Sequence, residues 1–372
     1  MKKSNLCLII LLLISTISGL TVSSKETNDI HLYLPSSFDY RNIAGVDYTT
    51  PIKNQAPAPT CEAYALVASL ETIMQYQRKE IFNPDLSETH LYFSAGGTYE
   101  AGYVNLVYAA NYVRDIGVPD EGCYPDPHRP YDYPFTSLEG WENRTVRINE
   151  WGWVDNSEEA IKTALIQHGP LIFCAHFWQD FHYYSGGVYR HQWGQMAGGH
   201  VMTIVGYDDS EQCWIVKNSA GTDWGIDGWL KMAYDAGMIT GNWYSRFDEN
   251  CTGILYINGS SGNIKPDVPK VQIQHPEIFK TYINGIAFSS IFNNVHMFQK
   301  GAPRIIGDIE IQVISENTEN VAFYIDDEKM FQDDSPPYTW LLEANPGLHT
   351  LKVVATNGHS TSIDLVDFQK IV

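Results

Sequence analysis

The sequence predicts an α+β domain followed by an all-β sandwich domain. Apolar residues recur at helical spacing after Cys61, which predicts an amphipathic helix. Two apolar runs at residues 201–206 and 213–216, separated by a polar turn, predict a hairpin of buried strands. After Ile257 the chain changes to short segments that alternate apolar and polar residues, which is typical of sheets with one exposed face.

The first 24 residues predict a signal peptide. Lys2 and Lys3 precede an apolar core, and small residues follow at positions 19–24. No stop-transfer pattern comes after them, so we expect no membrane span once the signal is removed. The predicted location is secreted, or extracellular at the cell surface.

Cys61 is expected in the first turn of the predicted helix, with Thr60 as the N-cap. The amide hydrogens and dipole of a helix N-terminus stabilise a thiolate at that position. The Cys61 backbone N–H and the side-chain amide of Gln55 are candidate donors to an oxyanion. The alternative is a small buried residue, since cysteine is among the most buried residue types. The apolar stripe consists of Ala63, Leu66, Val67, Leu70, Ile73 and Met74, while Glu62, Glu71, Gln75 and Gln77 fall mostly outside it.

A histidine and an asparagine flank the predicted hairpin. His200 opens the first apolar run and Asn218 follows the second, and both are equally distant from a turn centred near residue 209. The hairpin therefore places His200 roughly opposite Asn218. The asparagine amide can hold one imidazole nitrogen and leave the other for the Cys61 thiol. A lone strand histidine is usually structural, but this combination favours a thiol acyl-transfer site.

Three segments carry a resemblance to one known family. They read PIKNQAPAPTCEAYA, GGHVMTIVGYDD and KNSAGTDWGIDGW, in the order found in papain-like cysteine peptidases. The chain resembles that family over about residues 34–257. The resemblance implies a two-lobed fold, with a helical lobe, a β-rich lobe and the substrate between them. It implies peptide-bond hydrolysis through an acyl-enzyme, with Cys61 as nucleophile, His200 as base, Asn218 as orienting residue and Gln55 in the oxyanion hole.

The same resemblance assigns Gly102, Tyr103 and Gly199 to the substrate cleft. Gly102 lets a peptide backbone approach closely, and Tyr103 lines the pocket for the residue that precedes the cleaved one. The expected partner is a peptide or protein substrate. Signal removal near residue 24 leaves only residues 25–33 before the matched segment, so we expect no room for the family's inhibitory prosegment.

Two residues depart from the family pattern. Glu62 stands where a tryptophan usually follows the nucleophile, and Ala220 stands where another tryptophan usually shields the histidine–asparagine contact. An acidic neighbour opposes thiolate formation. Without the indole, water competes for the hydrogen bond between His200 and Asn218. We expect reduced or pH-shifted activity. The alternative is a catalytically weak or inactive papain-like surface binding module.

The net charge and the spacing of possible metal ligands argue against several other functional classes. A net charge of −20 argues against binding to nucleic acid or to anionic lipid. Cys174, His176 and His182 could be read as metal ligands, but zinc sites normally show tighter, repeated spacing. We therefore expect no metal and no cofactor. The remaining mature cysteines, Cys123, Cys174, Cys213 and Cys251, allow three disulfide pairings, and the sequence does not choose among them or exclude thiols.

The C-terminal part is predicted as a separate domain. Residues 258–270 form a Gly/Ser/Pro-bearing linker, and residues 271–372 hold β-rich segments. Ile309, Ile311 and Val313 alternate with Glu310 and Gln312, which predicts a β-sandwich. The segments PPYTW and GLHTLKVVATN resemble immunoglobulin-like modules attached to exported microbial enzymes. Such a module makes a surface or partner contact, or serves as a rigid spacer.

Overall fold

The computed structural model describes residues 34–372, except for residues 57, 99–100, 126–136, 240–251, 263, 265–267 and 290–301. The predicted signal peptide and Cys251 lie outside the described residues. Leu34–Val372 form one compact unit. None of the helices in these described ranges combines the length and apolar character needed to cross a bilayer.

The described residues contain four α-helices. They are α1 (Cys61–Arg78), α2 (Glu88–Ser94), α3 (Leu106–Asp115) and α4 (Glu158–His168). Helix α1 begins at Cys61, as predicted, but the Thr60 side chain makes no capping hydrogen bond. The polar residues Glu62, Glu71 and Gln75 are buried along with the apolar stripe. Helix α1 is therefore enclosed on more than one side, which a single apolar stripe does not predict.

Eleven strands precede the C-terminal domain in the described ranges. They are β1 (Ser37–Asp39), β2 (Val118–Pro119), β3 (Thr145–Arg147), β4 (Glu150–Trp153), β5 (Leu171–Trp178), β6 (Val188–Tyr189), β7 (Met196–Asp208), β8 (Cys213–Lys217), β9 (Trp229–Ala233), β10 (Ile254–Asn258) and β11 (Ser261–Gly262). The main sheet runs β4-β10-β5-β7-β8-β9-β6, with β1 paired to β7, and a small sheet runs β11-β3-β2.

Two hydrophobic clusters divide this region into two lobes. The first contains Leu66 and Leu70 of α1 with Leu91 of α2 and Leu106 of α3. The second is built on the main sheet and α4. Helix α1 lies against β7, where the Thr203 hydroxyl donates to the Ala65 carbonyl at 2.9 Å. The two-lobed fold that the resemblance implies is confirmed, and the N-terminus of α1 lies next to the sheet.

The predicted hairpin is formed by β7 and β8, with a register different from the expected one. Thr203 is opposite Lys217 and Asp208 is opposite Cys213, so the centre lies near residue 210 rather than 209. The register shifts between Ile204 and Gly206, where β1 also pairs with β7. Asn218 follows the end of β8, and its side chain reaches His200 from there.

The C-terminal region is all-β, as predicted. Its strands are β12 (Lys270–His275), β13 (Lys280–Ile283), β14 (Ile286–Ser289), β15 (Arg304–Ile306), β16 (Glu310–Glu316), β17 (Asn320–Ile325), β18 (Glu328–Asp333), β19 (Tyr338–Leu341), β20 (Gly347–Thr356) and β21 (Thr361–Lys370). One sheet runs β12-β16-β19 and the other runs β14-β13-β15-β21-β20-β17-β18. Both contribute to one core, with Ile311 and Trp340 from the first sheet and Phe323 and Phe368 from the second. The immunoglobulin-like character of this sandwich stays a prediction.

A polar cluster around Arg144 joins the sandwich to the preceding region. Arg144 makes paired bonds to Asp120, from Nε to Oδ2 at 2.8 Å and from Nη2 to Oδ1 at 2.5 Å. The same guanidinium donates to the Thr361 carbonyl at 2.5 Å and to the Ser362 hydroxyl at 3.3 Å, both in β21. The side chains of Arg144 and Asp120 are 15% and 10% exposed, so this ion pair is largely removed from solvent.

Candidate active site

Cys61 is held at the junction of the two lobes. It is the first residue of α1 and is 9% exposed. Its thiol lies within hydrogen-bond reach of the Val201 backbone N–H on β7 and of its own backbone N–H. Because Val201 directly follows His200, this contact brings the thiol to the strand that carries the histidine.

His200 and Asn218 are joined by a hydrogen bond that fixes the imidazole. The distance from Nε2 to Asn218 Oδ1 is 2.8 Å. The same Oδ1 accepts from the Ser219 backbone N–H at 2.8 Å, so the atom facing the imidazole is the amide oxygen. Nε2 must therefore carry the hydrogen, and in the neutral ring Nδ1 keeps its lone pair. That assignment leaves Nδ1 as the proton acceptor for a thiol.

Gln55 is fixed by the segment that follows Asn218. Its Oε1 accepts from the Ser219 hydroxyl at 2.6 Å, and its backbone N–H donates to the Ser219 carbonyl at 2.9 Å. Its Nε2 donates to the Ala58 carbonyl at 2.9 Å. An amide nitrogen carries two hydrogens, so a second donor remains for an oxyanion. The sequence patterns did not single out Ser219, although its place directly after Asn218 was the available signal.

A buried network of charged and polar side chains lies next to these residues. Lys217, next to Asn218, donates to the Thr50 carbonyl at 2.7 Å, and the Thr50 hydroxyl donates to Glu71 of α1 at 2.6 Å. Lys53 binds Glu71 at 3.1 Å and Glu88 at 2.8 Å. Burial lowers the pKa of Lys217 to about 8. Because every member is bonded, the network ties α1 to the segments that carry Gln55 and Asn218.

Glu62 alters the electrostatics of the site. Burial raises the pKa of the Cys61 thiol well above its usual value. The negative charge of Glu62, and a hydrogen bond that its carboxylate accepts from the thiol, raise that pKa further. Burial also lowers the pKa of His200, and the charge of His182 adds to this, while the bond to Asn218 opposes it. Both shifts favour a neutral thiol beside a neutral imidazole. Both effects oppose the stabilisation of a thiolate by the helix N-terminus.

A second imidazole lies near His200. The Phe177 ring is 6.2 Å from the His200 ring and 5.3 Å from the His182 ring, edge-on to both. Phe177 is opposite Gly198 in the β5–β7 ladder. A Cβ at Gly198 would stand 3.4 Å from the Phe177 ring, so the ring lies directly over that glycine. His182 is exposed, on the short helix Gln179–Tyr183. Sequence patterns assigned no catalytic role to either side chain.

The structure does not gather the predicted cleft residues as tightly as the four residues above. Gly102 has a φ of +67°, and the nearest atom to the position that a Cβ would take belongs to Pro59, at 3.9 Å. Tyr103 is 51% exposed. Gly199 directly precedes His200 in β7 and is opposite His176. Ala220 is exposed and forms an isolated bridge with Asn54, so no indole at this position covers the bond between His200 and Asn218.

The candidate metal ligands do not form a centre. Within the described ranges, no group of three or more histidine, cysteine or acidic side chains is arranged to hold a metal ion. Cys174 is buried in the first hydrophobic cluster, whereas His182 is exposed. Cys123 and Cys213 are buried thiols. The sequence leaves the disulfide pairing open. The structure does not join Cys123 to Cys213, and Cys251 lies outside the described residues.

Known proteins with similar sequences belong to one family. Residues 34–245 match the sequence model of the "Papain family cysteine protease" family. Testin-2 of Rattus norvegicus is 30% identical over 217 residues, which cover 55% of this chain and 62% of that protein. Cathepsin B-like cysteine proteinase 6 of Caenorhabditis elegans is 28% identical over 245 residues, covering 56% of this chain and 64% of that protein. The chain thus spans somewhat less than two thirds of the length of these relatives.

The fold is also found in solved structures. Procathepsin B S9 from Trypanosoma congolense superposes with a TM-score of 0.50 at 21% identity, covering 66% of this chain and 84% of that chain. At this level of identity the likeness concerns the fold alone.

Proposed function

Because this chain belongs to the papain family of cysteine proteases, we propose that it is a secreted peptidase that hydrolyses peptide bonds through Cys61, His200, Asn218 and Gln55. The observation that carries the proposal is the orientation of His200. Asn218 Oδ1, identified as the oxygen by the Ser219 N–H, holds Nε2 and leaves the Nδ1 lone pair for the thiol. This is the tautomer that a general base for Cys61 requires.

Acylation uses Cys61 and His200 together. His200 Nδ1 takes the Sγ proton as the sulfur attacks the peptide carbonyl carbon, and the carbonyl oxygen becomes an oxyanion. The Cys61 backbone N–H and the second hydrogen of Gln55 Nε2 donate to it. The imidazolium then gives its proton to the leaving amine, the C–N bond breaks, and a thioester remains on Cys61.

Deacylation repeats these roles with water. His200 takes a proton from a water molecule that attacks the thioester carbonyl, and the oxyanion hole is used again. The C–S bond breaks, the proton returns to sulfur, and a carboxylic acid leaves. Asn218 keeps Nε2–H bonded throughout, so the ring does not rotate out of position between the two steps.

A second candidate function is a catalytically weak or inactive papain-like surface binding module. The specific observation in its favour is Glu62, whose charge and hydrogen bond raise the pKa of the Cys61 thiol. The exposed Ala220 adds to it, since it places no indole over the His200–Asn218 bond, where the family pattern has one. In that case the C-terminal sandwich would supply the surface or partner contact.

Covalent labelling separates the two candidates. The mature protein is treated with a papain-type epoxide inhibitor between pH 4 and 8, and the adduct is located by mass spectrometry. A peptidase gives a single adduct on Cys61 that disappears in Cys61→Ser. In His200→Ala the labelling rate falls by roughly 10²- to 10⁴-fold, the usual contribution of a general base. The matched control His359→Ala, on an exposed loop of the sandwich, labels like the wild type. No adduct at any of these pH values would favour the binding module.

We further propose that the signal peptide at residues 1–24 directs export, that residues 34–257 carry the peptidase and that residues 271–372 are an immunoglobulin-like accessory domain after a linker at 258–270. N-terminal sequencing of the exported protein tests the first point. A start between residues 20 and 26 agrees with it, and an intact Met1 on exported protein contradicts it.

A further inference from the structure

The C-terminal sandwich is attached to the peptidase region at two neighbouring points. β11, in the segment predicted as a linker, pairs with β3, and β3 also pairs with β2. A Cβ at Gly262 would stand 2.2 Å from the Thr145 carbonyl, so the chain connection packs directly against β3. Arg144, the residue before β3, donates to the Thr361 carbonyl and the Ser362 hydroxyl of β21. Both attachments therefore meet at the small sheet β11-β3-β2.

Asp120 connects this attachment to the helical lobe. It follows directly after β2 and accepts two bonds from the Arg144 guanidinium, at 2.8 Å and 2.5 Å. Its backbone forms an isolated antiparallel bridge with Leu86. Two backbone hydrogen bonds flank this bridge, from Ser87 N–H to the Pro119 carbonyl at 2.9 Å and from Glu121 N–H to the Asp85 carbonyl at 2.8 Å. Residues 85–87 are therefore held by the same segment that Arg144 joins to β21.

Lys53 links residues 85–88 to an oxyanion donor. Its ammonium binds Asp85 at 2.7 Å and Glu88 at 2.8 Å, and it donates to the Leu86 carbonyl at 3.3 Å. Gln55 lies two residues after Lys53 in the same segment. The backbone that carries Gln55 is therefore anchored through Lys53 to the residues that Asp120 holds.

We propose that the docked sandwich positions Gln55 for its bond to the oxyanion, through Arg144 and Asp120, a proposal that rests on the peptidase function above. The order of contacts is β21, Arg144, Asp120, residues 85–87, Lys53 and Gln55. An oxyanion donor is effective when it is held in place before the reaction and needs no reorganisation during it. Of these residues only Gln55 reaches the reacting carbonyl in the proposed mechanism, so Arg144 is a positioning residue. The sandwich then acts on the rate of peptide hydrolysis as well as serving as an attached domain.

The guanidinium suits this role because it bonds to both sides of the junction at once. Nε and Nη2 donate to Asp120, while Nη1 donates to the Thr361 carbonyl. A lysine ammonium is a compact charge on a flexible stem and lacks this planar fork. Arg144→Lys thus keeps a positive charge for Asp120 and loses the simultaneous bridge to β21. A second variant, Arg144→Gln with Asp120→Asn, removes both charges and leaves no buried charge unpaired.

Two rates distinguish the positioning of Gln55 from a general loss of activity. kcat and KM are measured for an internally quenched peptide that the protein cleaves, in variants whose folding is verified by thermal unfolding. The exchange of the Cys61 thiol with dipyridyl disulfide is measured alongside, with Cys61→Ser as the blank. Peptide hydrolysis passes through an oxyanion, whereas disulfide exchange breaks an S–S bond and forms none. In both Arg144 variants kcat should fall about 2-fold to 30-fold, the range for substitutions along a coupling network, with KM and the exchange rate unchanged.

A double-mutant cycle shows whether the effect passes through Gln55. Gln55→Ala alone should lower kcat by roughly 10²- to 10³-fold, the usual cost of removing one oxyanion donor. Adding Arg144→Lys to Gln55→Ala should lower kcat no further, because the donor that Arg144 positions is already gone. The control Arg114→Lys, at an exposed ion pair with Asp115 on α3, should leave kcat and the exchange rate unchanged.

Three results would overturn the positioning role and leave the peptidase in place. The first is a wild-type kcat in both Arg144 variants. The second is a loss that persists in the Gln55→Ala background or that lowers the exchange rate equally, since the effect would then lie elsewhere in the site. The third is a wild-type kcat in Arg144→Lys alone, which would assign the effect to the ion pair with Asp120 and not to the sandwich. If the wild type cleaves no peptide and Cys61 takes no epoxide, the proposed function itself fails.

Discussion

The carboxylate of Glu62 opposes the chemistry of the neighbouring thiol. Burial is the larger cause of the raised Cys61 pKa, and Glu62 is the second. Replacing Glu62 by glutamine removes the charge and keeps the size of the side chain. The thiol pKa should fall, although it stays above the usual value because the burial remains.

We therefore expect Glu62→Gln to form the thiolate at lower pH. Below the thiol pKa, the thiolate fraction rises tenfold for each unit by which that pKa falls, whereas the nucleophilicity of the thiolate falls by a smaller factor. Epoxide labelling of Cys61 at pH 6 should become several-fold faster, and the acid limb of the pH–rate profile should move to lower pH. Glu159→Gln, an exposed change on α4, serves as the control. A pH–rate profile identical to that of the wild type would show that Glu62 does not act on the thiol.

The sequence predicts the chemistry-bearing residues better than the residues that hold them. Cys61, His200 and Asn218 could be proposed because each carries a reactive or orienting group in a recognisable segment. Ser219 and Phe177 could not, because their roles depend on contacts with residues more than 20 positions away. Such contacts leave no local period or spacing in a single sequence.

At the scale of elements, the hairpin shows why the pairing register of two strands is harder to predict than the strands themselves. Both strands were predicted, but their pairing is centred about one residue later than expected, and the register shifts between Ile204 and Gly206. A Cβ at Gly206 would stand 2.5 Å from the Phe38 carbonyl of β1, so the glycine is needed for this close backbone approach. This approach involves a third strand far away in sequence, which the pattern of the hairpin itself does not contain.

Helix α2 buries a histidine among aromatic rings. His90 is 1% exposed, and its ring centroid lies 4.4 Å from that of Trp141 and 5.5 Å from that of Tyr124. No partner lies within hydrogen-bond distance of its Nδ1 among the described residues. Burial therefore lowers the pKa of His90 to about 4. The folded protein keeps this ring neutral under conditions in which the unfolded chain protonates it.

The sign of the resulting pH dependence follows from these two pKa values. Above pH 6.5 His90 is neutral in both states and has no effect. Between pH 6.5 and 4 the unfolded state binds the proton and the folded state does not, so stability falls as the pH falls. At pH 5 this costs about 2 kcal/mol. Between pH 7.5 and pH 5, the free energy of unfolding should fall by about 2 kcal/mol less in His90→Leu than in the wild type, as measured by urea unfolding. Equal losses in the two proteins would contradict the account.

At the scale of the whole molecule, the sandwich is joined to the preceding region by side-chain contacts as well as by the chain. Arg144 bonds both to Asp120 and to Thr361 of β21. Next to it, a Cβ at Gly122 would stand 2.1 Å from the Ser362 hydroxyl and 2.5 Å from Ser362 Cβ. The two surfaces approach so closely at this point that one added methyl group at Gly122 would clash with β21. The sequence does not predict this contact, because Gly122 and Ser362 belong to unrelated segments.

We expect Gly122→Ala to weaken the docking of the sandwich. Overpacking of this kind typically costs about 1–3 kcal/mol, and here β21 must move, since the nearer obstacle includes the Cβ of Ser362 as well as its mobile hydroxyl. Limited proteolysis between residues 259 and 269 should become faster, the radius of gyration from small-angle X-ray scattering should rise, and thermal unfolding should separate into two transitions. The double variant Gly122→Ala with Ser362→Gly removes the two nearest atoms that the new methyl group meets. It should recover most of the wild-type behaviour in all three measurements, less the part due to the lost bond from Arg144 to the Ser362 hydroxyl. If Gly122→Ala alone already behaves like the wild type, the contact through Arg144 is sufficient and the close approach at Gly122 does not govern docking. If the double variant remains as loose as the single one, the effect comes from Gly122 itself and not from its contact with β21.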